Sequence, residues 1–122
     1  MDIFAMHRRA VEATYRGSCN IYEHQTVKNS ETKISSKEQV LVNENIPCKL
    51  SFENLSVAGT GNGAAQKAIV AKLFIAPEIE IKAGSKLVIT QDGITQKYAK
   101  SGEPGRFPSH QEIMLNLFER WA

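Results

Sequence analysis

Residues 46–52 read Ile-Pro-Cys-Lys-Leu-Ser-Phe. Ile46, Cys48, Leu50 and Phe52 share one phase of a two-residue period, and Lys49, Ser51 and Glu53 share the other. Successive side chains of a strand point to opposite faces, so this pattern predicts a strand with one face in a core and the other in water. Pro47 falls at the start of that strand, where a missing N–H is tolerable. No other stretch of the chain alternates as cleanly.

Working outward, the segment upstream supports the same frame. Ser18 to Val27 is rich in β-branched and aromatic residues, and Asn29-Ser30-Glu31 carries turn chemistry. Lys33 to Glu44 then reads as the return arm of a long hairpin, its polar centre Ser35-Ser36-Lys37-Glu38 solvated or frayed. Asp2 to Arg16 differs: Phe4, His7, Val11 and Tyr15 recur at helical spacing, with Ile3 and Ala10 beside them. Residues 2–16 are therefore expected to form a helix capped by Asp2 and stopped by Gly17. Glu12 can pair with Arg8 or Arg16 at four-residue spacing.

Downstream, Ala68 to Ala76 favours a buried strand closed by Pro77. Ile79 and Ile81 alternate with Glu78, Glu80 and Lys82. Ala83-Gly84-Ser85 turns the chain into Lys86–Thr90, and Asp92-Gly93 is a strong hairpin signal leading to Ile94–Tyr98. Ser101 to Pro108 reads as loop. Gln111 to Trp121 fits either a helix or a strand by period alone. Seven or eight short β segments behind one helix predict a mainly β protein, an antiparallel β-barrel-like single domain spanning residues 1–122 with an N-terminal α-helix. Its barrel runs over 18–121, with Cys48, Leu50, Phe52, Leu73, Ile79, Ile81, Leu87, Ile89 and Ile113 pointing inward.

Length and composition set the outer bounds. The chain has 122 residues with 42% hydrophobic and 23% charged. That suffices for one domain with its own core, without a metal or disulfide staple. No apolar run approaches the ~20 residues of a membrane-spanning helix, and Met1–Ala10 holds no signal-peptide core, so an intracellular protein is expected. Fifteen basic against thirteen acidic residues leave +2, too little and too interspersed for an evident nucleic-acid footprint. Cys19 and Cys48 have neither zinc nor thioredoxin spacing and are expected to be buried and free.

The motifs that suggest chemistry fail on context. Gly59-Thr60-Gly61-Asn62-Gly63-Ala64 satisfies G-x-G-x-x-A, yet a dinucleotide fingerprint needs a parallel βαβ unit and hairpins surround this one. His110-Gln111-Glu112 spells the H-x-E of zinc deaminases, but no cysteine follows Cys48 to complete the ligands. No G-x-S-x-G and no Walker sequence occurs. Neither catalytic residues, nor a cofactor, nor a metal is expected. Asn54 to Gln66 is different: a Gly/Ala/Asn/Ser stretch without period, read as a mobile loop. Asn54, Ala58, Gly59, Gly61, Gly63 and Gln66 form a candidate assembly loop, ordering only against a partner.

Three stretches carry a family resemblance: Ile46–Phe52, then Lys72-Leu73-Phe74-Ile75-Ala76-Pro77-Glu78-Ile79-Glu80-Ile81, then Pro108-Ser109-His110-Gln111-Glu112-Ile113-Met114-Leu115. Together with the Gly84-Ser85 turn, the Asp92-Gly93 hairpin and Ser101-Gly102-Glu103-Pro104, they resemble small neck proteins encoded in tailed-phage and prophage structural operons. The resemblance implies a head–tail connector of the head-completion or stopper kind, a β-barrel that joins a ring of its own copies. It implies portal or adaptor and tail-completion proteins as partners, and packaged DNA met only through the channel. It also implies assembly in the host cytoplasm, residence in the particle neck, and no membrane or enzymatic role. It favours the strand reading for Gln111–Leu117. A small nucleic-acid-binding barrel, needing exposed aromatics among basic residues, and a small cytosolic enzyme are the alternatives. For the former, Tyr22 with Lys28, and Tyr98 with Lys97 and Lys100, come nearest.

Overall fold

The computed structural model describes residues 2–57 and 66–121. Six strands follow one helix: α1 Ile3–Glu12, β1 Gly17–Lys28, β2 Ser35–Val57, β3 Gln66–Ile75, β4 Lys86–Gln91, β5 Ile94–Arg106 and β6 Gln111–Leu117. They close a barrel in the order β1-β2-β3-β6-β5-β4, every pairing antiparallel. The expected mainly β, antiparallel barrel with an N-terminal helix is what forms.

Several boundaries differ from the sequence reading. The helix ends at Glu12 rather than Arg16, and Gly17 opens β1 instead of stopping α1. Gly17 fits a close approach there: a Cβ would meet the Cys48 carbonyl oxygen and Gln91 Oε1 at 3.1 Å each, tighter than ordinary contact. Pro47 lies inside the 23-residue β2, not at a strand start. The strand bends just before it, where the β1–β2 register shifts and Asn45 takes φ 54°. Asn20 Oδ1 accepts the Asn45 N–H at 2.8 Å and holds that bulge. Ser35–Glu38 is solvated but fully paired with Gln25–Lys28. Ser101–Arg106, expected as loop, continues β5 across a bulge at Gly102, φ 76°. Ile79 and Ile81 belong to no strand. Residues 76–85 instead cross the barrel end, where Gln111 Nε2 donates to the Ala76 and Ile79 carbonyls and Lys100 Nζ to that of Ile81.

The Asp92-Gly93 turn forms as expected, with φ 54° and 78° suited to the twist of a two-residue hairpin. Gln111–Leu117 is a strand. The core unites Cys19, Ile21, Cys48, Leu50, Leu73, Ile75, Ile81, Leu87, Ile89, Tyr98, Ile113 and Leu115 with Ala71. Of the expected core, Ile79 is half-buried against this cluster and Phe52 is 58% exposed. Phe52 keeps the inward phase of Cys48 and Leu50, but it stands at the barrel rim, past the enclosed Leu50–Leu73 pair. Gln91 closes the interior just below: its side chain accepts the Leu50 N–H at 2.8 Å and donates to the Leu50 carbonyl at 3.0 Å.

Candidate functional site

The loop singled out in the sequence is shorter than its composition suggests. Asn54 pairs with Ile69 inside β2–β3, and Gln66 opens β3 opposite Val57. Both are strand residues, because the ladder between the two arms continues past the last core pair. Ala58, Gly59, Gly61 and Gly63 lie outside the described residues, and with them the expectation of a mobile tip.

At the same end, the barrel is open. Ile94 and Leu117 continue the inward phases of β5 and β6 as Phe52 does that of β2, and they are 71% and 61% exposed. Two adjoining hollows flank Phe52 and Tyr98, one reaching Ala71 and Leu115, the other Leu50 and Ile89. The opposite end is stoppered by Ile81 and the Gln111 bonds. One barrel end is therefore sealed and the other presents apolar side chains to solvent.

A third feature lies under α1. No helix residue is fully buried, and ion pairs tie the segment down: Arg8, paired with Glu12 within the helix at 2.6 Å, reaches Glu78 at 2.5 Å, and Arg16, past the helix end, meets Asp92 at 3.0 Å. Of the two pairings open to Glu12, Arg8 takes it. Between helix and barrel, His7, Ala10, Val11 and Thr14 face Lys49, Phe74 and His110 across a cleft. His110 stacks on Phe107, ring centroids 4.9 Å apart, and links Ser109 Oγ at 2.8 Å to Glu112 Oε2 at 3.1 Å. This row has the groups of a serine–histidine–carboxylate relay. The Ser109 hydroxyl is taken up by its bond to the neighbouring His110 ring, and the pair braces the 107–110 turn, which the Phe107 N–H closes on the His110 carbonyl at 2.8 Å. Burial works against the Glu112 charge, but bonds from His110 and Lys72 outweigh it and hold its carboxyl below the usual range.

The fourth feature was not visible in the sequence. After β6, residues 118–121 leave the barrel wall and strap across the outside of β5, β4 and β1. The Phe118 N–H donates to the Lys97 carbonyl at 3.1 Å, and Trp121 stacks on His24 at 4.7 Å. Beneath them Lys86 sits buried, its ammonium 5.1 Å from the Tyr22 ring, 5.5 Å from Phe118 and 5.8 Å from Trp121, while donating to Gln39. Burial and the neighbouring Lys97 lower its pKa. Beside this cage lies a cleft of about 410 Å³, lined by Glu23, His24, Lys37, Lys82, Ser85 and Trp121 among others. Tyr22 does meet a lysine, but it is Lys86 rather than Lys28, because β1–β4 pairing places Tyr22 opposite Lys86. Tyr98 faces the core, so Lys97 and Lys100 have no exposed aromatic there. The outward phase of Tyr22 and His24 was the one available signal; their partners come from β2, β4 and the tail.

No family model matches the chain, and no curated protein matches it. Among solved structures it is similar to the phage-like element PBSX protein xkdH from Bacillus subtilis, at 11% identity and a TM-score of 0.46. The match covers 85% of this chain and 96% of that one. That neighbour is a protein of a phage-like element. A likeness of this size carries no argument for a neck position, a ring or particular partners.

Proposed function

We propose that the protein is a structural component of a phage or prophage head–tail neck, an oligomeric joint that completes the head and docks the tail and catalyses nothing. The observation that carries this reading is the open barrel end. Phe52, Ile94 and Leu117 expose inward-phase side chains where a lone barrel would be expected to close over them. Exposed apolar patches mark interaction surfaces. Each such side chain taken from water to full burial is worth about 1.5–3 kcal/mol, so a contact on this end gains a few kcal/mol at every joint of a ring. The family resemblance supplies the setting: copies of the chain itself, portal or adaptor and tail-completion proteins, assembly in the host cytoplasm and residence in the particle neck.

The test is made in a particle-producing host. Deleting the gene should leave DNA-filled heads and finished tails that fail to join. Complementing with the Phe52→Asp, Leu117→Asp double variant should leave the same defect while the purified variant keeps its fold, since both side chains are already solvated. Normal particles from the deletion would reject the neck reading; full rescue by the double variant would reject the role of the open end.

A further inference from the structure

The joint reading makes no use of the cleft beside Lys86, and its chemistry is of another kind. Three properties meet there. The first is charge: Lys37 and Lys82 stand at its wall, with Lys86 caged behind it and Lys97 next in line. Among the described residues Glu23 is the one carboxylate lining it, and Lys82 Nζ lies 3.8 Å from that carboxylate. No carboxylate among the described residues comes within salt-bridge distance of Lys86, so its charge is balanced only by aromatic faces and the Gln39 carbonyl. The second property is a stacked aromatic pair, Trp121 on His24, whose rings are within 17° of parallel and 4.7 Å apart, so that a further flat ring can extend the stack only on an outer face. The third is an unmet polar group. Ser85 lines the cleft at 2% exposure, and among the described residues its hydroxyl has no hydrogen-bond partner. A buried hydroxyl without a partner costs about 1–3 kcal/mol, so its presence beside a positive cleft points to a bound acceptor.

A positive cleft alone would take any anion, and an aromatic wall alone any flat apolar group. Lysines beside a stacking wall are the combination that grips a strand whose phosphates and bases alternate. We propose that this cleft binds single-stranded DNA, with a phosphate held by Lys37, Lys82 and the Ser85 hydroxyl and a base extending the Trp121–His24 stack on its outer face. A duplex keeps its base faces stacked and offers only phosphates, so the single strand is the preferred form. The inference stands independently of the neck reading.

Trp121 is the only tryptophan of the chain, so its fluorescence reports on this cleft alone. The full-length protein is titrated with a short oligodeoxythymidylate at low and at physiological salt, and in parallel with a duplex and with inorganic phosphate. A saturable change in Trp121 emission is expected with the oligonucleotide. Its log affinity should fall with log salt by about 0.7 per phosphate contacted. The Lys37→Gln, Lys82→Gln double variant should bind at least ~10-fold more weakly with a flatter salt slope. Both lysines are exposed, so its circular dichroism should match the wild type. No emission change at low salt would overturn the proposal. So would unchanged affinity in the double variant, equal affinity for duplex, or saturation by inorganic phosphate at the same phosphate concentration, which would mark an ion site only. None of these outcomes bears on whether heads and tails join.

Discussion

Phe52 and Leu73 show how one pattern yields two energetic outcomes. Both lie on the inward phase of adjoining strands, and Leu73 stands opposite Leu50, one inward pair from the Phe52–Ala71 pair. Leu73 is fully enclosed, while Phe52 stands at the rim. Truncating Leu73 to alanine removes buried methyl groups and leaves a cavity, so a loss of about 2–5 kcal/mol is expected. Truncating Phe52 removes a side chain that water already reaches, so the loss should stay below about 1 kcal/mol. Chemical denaturation of the two single variants measures both; comparable losses would mean that the open end closes over Phe52 in solution. The alternation of residues 46–52 states the phase of Phe52 correctly, and only its height along the barrel decides its exposure.

Among the elements, α1 is the one held by charge rather than by burial. Ten residues make a marginal helix in water, and its amphipathic stripe leaves Ile3 and Phe4 exposed beyond the edge of the barrel. The Arg8 bond holds the Glu78 carboxyl below its ordinary 4.5. The folded state therefore binds this proton less readily than the unfolded chain does. Its contribution is present above about pH 4.5 and is lost as pH falls through the lower folded value. Because the pair is solvated, the effect should be under ~1 kcal/mol. Thermal midpoints recorded from pH 6 to pH 3 should fall more steeply for the wild type than for Glu78→Gln; superimposable profiles would show that the pair does not tether α1. The helix itself was legible from its period, but its end was not. Tyr15 continues the apolar stripe, yet the chain must straighten after Ala13 to deliver Gly17 between Cys48 and Gln91, and that demand comes from the barrel.

At the scale of the whole molecule, closure of the sheet and the Gln91 bonds shut off the interior below the open rim, so groups buried there meet water only when the barrel unfolds. Cys19 and Cys48 face that interior as free thiols, and burial pushes the Cys48 pKa up to about 12 and raises that of Cys19 as well. The thiolate is the reactive form. A thiol reagent should therefore label neither cysteine in the native protein at neutral pH, and labelling under mild denaturant should track global unfolding. Rapid labelling of either without denaturant would show local opening between β1 and β2. By itself the sequence determined what local physics can dictate: the helix period before Gly17, the alternation around Leu50, the Asp92-Gly93 turn and the inward phase of most of the core, each set by a few neighbouring residues. Tertiary structure alone decided what depends on residues distant in the chain: the closing β1–β4 pairing, which phases end in the core and which at an open rim, and the meeting of Tyr22, His24, Lys86 and Trp121. Side-chain period records which face a residue takes, whereas strand order and shear, set by the packing of all six strands together, decide what that face meets.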